Sequence, residues 1–148
     1  MGDNDGAEAA FSLLLDLDSE RYAALHGLGN IAYERGQYVE AVGYLEHAAR
    51  LAPEKANTHF LLGLSLNAIG ETERARDSFR AGLLADPDDI WILLALADLE
   101  SGLSENEAAC QLYEKALTID PRNERARHGF DTICVSEDMG KTMLKSGS

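Results

Sequence analysis

Proline, cysteine and tryptophan are scarce in this chain of 148 residues, which has three prolines, two cysteines and one tryptophan. The two cysteines form neither a CxxC pair nor a spacing typical of a metal site, so a disulfide-rich scaffold and a cysteine-based metal site are both excluded. We expect Cys110 and Cys134 to be reduced residues that pack on helices, and a disulfide between neighbouring helices is the alternative.

Basic residues are also few. The chain has 13 Lys and Arg against 26 Asp and Glu, which gives a net charge of −13. This balance argues against nucleic-acid binding, which needs a basic stripe, and against binding to anionic membranes. Neutral or basic peptides are electrostatically easier partners than acidic ones, although the acidic charge could also serve only to keep the protein in solution.

Long apolar runs are missing. No stretch approaches the 18 apolar residues that indicate a transmembrane helix, and the first ten residues are acidic without an apolar core. We therefore expect no membrane span, no signal peptide and a cytoplasmic location.

Catalytic motifs are absent as well. The sequence contains no G-x-S-x-G, P-loop, H-E-x-x-H or dinucleotide-binding pattern, and its four histidines are scattered. The acidic cluster Asp86, Asp88 and Asp89 lacks the length and central glycine of a calcium loop, so helix capping explains it better. We expect neither enzyme activity nor a metal or other cofactor.

The prolines carry the main signal, because Pro53, Pro87 and Pro121 stand 34 residues apart. Apolar residues recur between them at helical spacing, and a period of this length is typical of stacked helical hairpins. The register predicts three units, 22–55, 56–89 and 90–123. Gly36 and Gly70 lie where the turns inside the first two hairpins are expected.

The recurring residues resemble the tetratricopeptide repeat. The pairs that match its L-G and A-x3-F positions are Leu28-Gly29, Leu62-Gly63, Leu96-Ala97, Ala41/Leu45, Ala75/Phe79 and Ala109/Tyr113. The small residues allow close approach of facing helices, and we expect Leu45, Phe79 and Tyr113 to fill the space between hairpins. The resemblance implies an all-α, right-handed superhelical solenoid of three hairpins that binds other proteins without catalysis.

The ends of the array need caps, because a terminal hairpin otherwise exposes its apolar face. We expect an N-terminal capping helix over 6–19, a C-terminal capping helix over 124–135, and flexible segments at 1–5 and 136–148. In the third unit Ser101 to Ser104 replace the glycine turn, so the first helix is expected to end early, near Leu99 to Ser101. Ser104 with Glu107 forms a candidate capping box.

The resemblance also places a partner in a concave groove lined by the first helices. The candidate groove residues are His26, Asn30, Tyr33, Asn57, Phe60, Leu64, Asn67, Trp91, Leu94, Asp98, Arg125 and His128. We expect the large apolar members of this set to be exposed for binding. The alternative is that Phe60, Trp91 and Leu94 pack against a neighbouring helix or the C-terminal tail, and the tail itself is a candidate occupant of the groove.

One subclass of the family grips acidic chaperone tails with a clamp of Asn and basic residues. The equivalent positions here are His26, Asn30, Leu61, Trp91 and Ala95, and only Asn30 matches the pattern. We therefore expect an adaptor or chaperone for a neutral or basic, extended or helical segment. The alternatives are an assembly scaffold that self-associates or uses its convex face, and a cytosolic chaperone of a bacterial type III secretion substrate. A fragment of a larger protein is a further alternative.

Overall fold

Every element that the structure describes is helical. A computed structural model describes residues 4–17 and 21–135. The helices are α1 Asn4–Leu17, α2 Tyr22–Glu34, α3 Tyr38–Leu51, α4 Ala56–Ala68, α5 Thr72–Ala85, α6 Ile90–Gly102, α7 Asn106–Ile119 and α8 Glu124–Phe130, followed by a π-helical turn at Asp131–Val135. The all-α prediction is confirmed.

The chain divides into two compact units on either side of the bond between Pro87 and Asp88. In the first unit α2 pairs with α3 and α4 pairs with α5, while α1 packs on α2 and α3 packs on α4. In the second unit α6 pairs with α7, and α8 and the π-helical turn both pack on α7. Each unit is therefore built from antiparallel helical hairpins joined by short turns.

Glycine closes the first helix of the first two hairpins, as predicted. Gly36 has φ of 74° and Gly70 has φ of 81°, which is the left-handed region that favours glycine. After each glycine the chain turns back on the helix, since Gln37 N donates to Ala32 O and Glu71 N donates to Leu66 O, both at 2.9 Å. These bonds satisfy carbonyls that the helix end leaves open.

The third hairpin closes in the same way without a glycine, so the predicted early end of its first helix is wrong. Helix α6 runs to Gly102, and Glu105 N donates to Glu100 O at 2.9 Å. Ser104 takes the left-handed position with φ of 64°. The predicted capping box is also wrong, because the residue that precedes α7 is Glu105 and its side chain makes no capping bond.

Acidic and amide side chains begin the first helices of the second unit. Asp89 Oδ1 accepts from Trp91 N at 2.9 Å and from Ile92 N at 3.1 Å, so the predicted capping is confirmed for Asp89 of the acidic cluster. Asn123 Oδ1 accepts from Ala126 N at 3.0 Å and begins α8. These bonds pair amides that would otherwise lack a helical partner.

Both terminal helices differ from the predicted bounds. Helix α1 already begins at Asn4, within the segment expected to be flexible, and Asp5 and Glu8 pair with Arg35 of the neighbouring turn. At the other end α8 stops at Phe130 and gives way to the π-helical turn, where one continuous helix was expected. Residues 1–3, 18–20 and 136–148, with the predicted tail in the groove, lie outside the described residues.

Close approach of neighbouring helices depends on glycines that face large side chains. A Cβ built at Gly29 would lie 2.6 Å from Leu45 Cγ, and one at Gly63 would lie 2.5 Å from Phe79 Cε1. The same contact attaches the two terminal helices. Gly27 faces the ring of Phe11 at the N-terminal end, and Gly129 faces the ring of Tyr113 at the C-terminal end. The four large residues stand 34 positions apart in the sequence, so one kind of contact recurs in the helix pairs α1–α2, α2–α3, α4–α5 and α7–α8. The contacts of Leu45 and Phe79 lie within their own hairpins, whereas the prediction placed these residues between hairpins.

The two cysteines are joined, so the expectation that they are reduced is wrong. Cys110 on α7 and Cys134 in the π-helical turn form a disulfide, with Cα atoms 5.7 Å apart. Sequence reasoning favoured free thiols because the spacing of 24 residues carries no motif. The fold brings the two positions together by packing the π-helical turn on α7.

The contact between Gly63 and Phe79 predicts a matched pair of glycine variants. Gly63→Ala should lower the free energy of unfolding by about 1–3 kcal/mol, because the new methyl group meets a ring that is 1% exposed. Gly43→Ala should raise it by about 0.5–1 kcal/mol, because nothing lies within 4 Å and alanine favours a helix. Urea denaturation followed by circular dichroism measures both values, and equal effects would contradict the packing role of Gly63.

The left-handed serine predicts a stabilising substitution. Ser104→Gly should raise the free energy of unfolding by about 1 kcal/mol, because glycine adopts positive φ without the clash of a Cβ. Gly70→Ser should lower it by a similar amount. Thermal denaturation of both variants tests this, and a loss of stability in Ser104→Gly would show that its side chain contributes more than its backbone strain.

Candidate functional site

The first helices of neighbouring hairpins lie side by side within each unit, α2 with α4 and α6 with α8. The candidate groove residues fall into two sets that we treat separately. The α2–α4 face comprises His26, Asn30, Tyr33, Asn57, Phe60, Leu64 and Asn67. The α6–α8 face comprises Trp91, Leu94, Asp98, Arg125 and His128.

A hydrogen-bonded network forms the centre of the α2–α4 face. His26 Nδ1 lies 3.0 Å from Thr58 Oγ1, and His26 Nε2 lies 3.3 Å from Asn57 Nδ2. With the amide nitrogen of Asn57 facing Nε2, the neutral tautomer that satisfies both contacts carries its proton on Nδ1 and donates it to Thr58. The hydroxyl of Tyr22 completes the network 2.9 Å from Thr58 Oγ1, and its ring stacks on His26.

This network favours the neutral form of His26. Burial lowers the pKa of the His26 imidazole below its usual 6.5, because the charged ring would lose hydration. A proton added at Nε2 would also point at the donor Nδ2 of Asn57. The face therefore presents a neutral imidazole and an exposed amide near neutral pH.

The other members of the α2–α4 face are polar or half-buried. Asn30 Nδ2 donates to Glu34 Oε1 at 3.2 Å, and the ring of Tyr33 lies 5.6 Å from that of Tyr38. Leu64 is half-buried and Asn67 is exposed. The ring centre of Phe60 lies 6.3 Å from that of Phe79, so this side chain contributes to packing inside the second hairpin, as the alternative prediction held.

The α6–α8 face contains one exposed aromatic residue. Trp91 is 62% exposed, whereas Leu94 is only 1% exposed. The prediction that Leu94 is exposed for binding is therefore wrong. Helix α6 is apolar over most of its surface, so its periodicity did not distinguish a binding side from a packing side.

Asp98 and Arg125 bind each other across the same face. Arg125 pairs with Asp98 Oδ2, and the hydroxyl of Tyr113 donates to Asp98 Oδ1 at 2.5 Å. Burial raises the pKa of Tyr113, and the hydrogen bond to the Asp98 carboxylate raises it further. The cluster connects α6, α7 and α8, and it pairs the charge of Asp98 with that of Arg125. The side chain of His128, the remaining polar member of this face, is exposed.

Tyr22 and Thr58 were missed by sequence reasoning. Both belong to the network around His26, and Thr58 is fully buried. A signal for Tyr22 was present, because Tyr22 and His26 stand four residues apart on one helix. Nothing in the sequence pairs Thr58 with α2, since the contact arises only when α2 and α4 pack.

Within the described residues, no group of three or more His, Cys, Asp or Glu side chains is arranged to hold a metal ion. No helix in those same ranges is long and apolar enough to cross a membrane.

Comparison with known sequences gives the family. Sequence profiles described as tetratricopeptide repeat match residues 1–56, 32–99 and 92–123. The chain belongs to the tetratricopeptide repeat family. This membership confirms the predicted hairpin architecture and the prediction that the chain is a non-catalytic protein-interaction module.

The similar proteins are diverse. The CTR9 homolog of Arabidopsis thaliana is 29% identical over 142 residues, which cover 88% of this chain and 13% of that protein. The crystal structure of MamA has a TM-score of 0.88 at 23% identity and covers 97% of this chain and 84% of its own. The first tetratricopeptide domain of Spaghetti (RPAP3), bound to the HSP90 peptide SRMEEVD, has a TM-score of 0.75 at 17% identity. The match covers 82% of this chain and 96% of that domain. These structures show the fold shared with this chain.

The lowered pKa of His26 predicts a pH dependence of stability. In the unfolded chain His26 has its usual pKa of about 6.5, whereas in the folded chain its pKa is lower. As the pH falls below 6.5 the unfolded chain therefore binds more protons than the folded chain, and the free energy of unfolding decreases. Urea denaturation between pH 7.5 and about 5 should show a steeper loss for wild type than for His26→Gln.

The His26 resonance in an NMR titration should have its midpoint below 6.5. His128→Gln, which changes an exposed histidine on α8, is the matched control for the denaturation series. A His26 midpoint above 6.5 would contradict the prediction.

Proposed function

We propose that this chain is a non-catalytic adaptor or chaperone that binds a peptide segment of a partner protein along the first helices of its hairpins. The observation that carries the proposal is the network of His26, Asn57 and Thr58. It holds an exposed amide and a half-buried imidazole in fixed positions on the surface. Groups held in this way lose little conformational entropy when a partner binds.

The amide groups suit a peptide backbone. Asn57 and Asn67 are exposed on the α2–α4 face, and an amide side chain offers both a donor and an acceptor. Such groups bind the repeating N–H and C=O groups of an extended segment, whatever its side chains are. Specificity would then come from apolar contacts with the half-buried Tyr33 and Leu64.

Charge supports a neutral or basic segment over an acidic one. The α2–α4 face has no Lys or Arg, and the whole chain has a net charge of −13. The similar domain of Spaghetti is bound to the HSP90 peptide SRMEEVD, which contains three acidic residues. At four of the five positions that form the acidic-tail clamp, this chain has His26, Leu61, Trp91 and Ala95 in place of the clamp residues. We therefore propose that its partner segment is neutral or basic.

On the α6–α8 face, Trp91 is the candidate anchor. Its side chain is 62% exposed, and tryptophan is among the residues that contribute most to binding energy at interfaces. Asp98 and Arg125 already bind each other, so we expect them to lie at the rim of the interface with a partner and not at its centre.

The proposal is tested by binding measurements on surface variants. Partners captured from the native lysate are identified by mass spectrometry, and peptides covering the captured protein are titrated by fluorescence anisotropy. His26→Ala/Asn57→Ala and Trp91→Ala should each weaken binding about tenfold or more, which corresponds to about 1.4 kcal/mol. A peptide rich in Asp and Glu should bind more weakly than a neutral one of equal length.

Leu84→Ala is the matched control. Leu84 is 87% exposed on α5, a second helix, so this variant removes an exposed apolar side chain outside both faces. Its affinity for the peptide should equal that of wild type. Unchanged binding by the His26/Asn57 and Trp91 variants would refute the proposed surfaces. Phe60→Ala is a poorer choice, because it also removes the ring that contacts Phe79.

A second candidate is an assembly scaffold that self-associates through its second helices. The observation that favours it is the exposure of Val39 on α3 and Leu84 on α5, at 74% and 87%. Light scattering over a range of concentrations would detect such association. A larger mass that is lost in Val39→Ser/Leu84→Ser, together with unchanged behaviour of the His26/Asn57 variant, would support this candidate over the first.

A further inference from the structure

The disulfide between Cys110 and Cys134 lies at the end of the second unit. Cys110 belongs to α7, and Cys134 belongs to the π-helical turn that follows α8. Both residues are half-buried, so neither end of the bond lies in the fully buried core. Thiol exchange requires that a thiolate reach one of the two sulfur atoms.

The neighbouring helix α8 has its own attachments to the unit. Ala126 is fully buried, Gly129 lies against the ring of Tyr113, and Arg125 pairs with Asp98 of α6. These contacts do not involve either cysteine. The attachment of α8 therefore does not depend on the disulfide.

The π-helical turn is attached differently. None of its five residues, Asp131–Val135, is fully buried, and Val135 is 45% exposed. The hydroxyl of Thr132 donates to His128 O at 2.7 Å, a bond to the preceding helix α8 and not to α7. A π-helical turn is also a rare and less favourable backbone form than an α-helix, and such turns are frequent at functional sites. The segment is therefore joined to α7 by a covalent bond, while it buries none of its own residues fully.

We propose that Cys110–Cys134 is a reversible redox site whose reduction releases residues 131–135 from α7. A dithiol reductant supplies two electrons and two protons: a thiolate of the reductant attacks one protein sulfur, the bond between the two protein sulfurs breaks, and each becomes a thiol. The reductant closes to its own disulfide. The released segment leaves the π-helical form, while α6, α7 and α8 keep their packing.

Hydrogen exchange on the full chain tests the proposal. Protein equilibrated with oxidised glutathione should carry no maleimide-reactive thiol, migrate as a monomer without reductant, and react at two cysteines after dithiothreitol. Amides of 131–135 should then exchange about tenfold faster or more in the reduced protein, whereas amides of α4 and α5 should be unchanged. Reoxidation should restore the slow exchange.

The variant Cys110→Ser/Cys134→Ser provides the matched control. It should show the fast exchange of 131–135 with or without dithiothreitol, which separates release of the turn from any other effect of the reductant. Reduction of the wild-type protein gives the same test without a substitution. Free thiols after equilibration with oxidised glutathione would overturn the proposal, as would a disulfide-linked dimer or equal exchange of 131–135 in both redox states.

Discussion

The fold depends on one repeated contact, in which a large apolar side chain fills the space that a missing Cβ leaves on the facing helix. Leu45 lies against Gly29, and Phe79 lies against Gly63. A methyl group in either glycine position would overlap the opposing side chain. Because buried side chains cannot yield much space, these contacts set the distance between the helices that they join.

The same contact explains how the terminal helices attach. Gly27 faces Phe11 of α1, and Gly129 of α8 faces Tyr113. Tyr113 has a second role, because its hydroxyl binds Asp98, which in turn pairs with Arg125. Packing and surface chemistry are therefore connected through one residue. On the α2–α4 face, helix packing likewise brings Thr58 within hydrogen-bonding distance of His26, and this forms the network that we propose for partner binding.

Several features of the site could not be read from the sequence, and each has a physical reason. The exposure of a residue on a helix that is apolar all round depends on its neighbours, so Trp91 and Leu94 received the same prediction although only Trp91 is exposed. The pairing of Cys110 with Cys134 depends on the packing of the π-helical turn on α7, which the spacing of the two cysteines does not indicate. Ser104 adopts the left-handed position because the chain must close α6, even though serine has no preference for it.

The sequence by itself determined the helical hairpins and their glycine turns at Gly36 and Gly70. These follow from local spacing, since the 34-residue period repeats the same steric requirements along the chain. Only the tertiary structure decided which polar groups meet. The contacts of His26 with Thr58 and of Tyr113 with Asp98 join separate helices, because hydrogen bonds require atoms about 3 Å apart and such distances are set by packing.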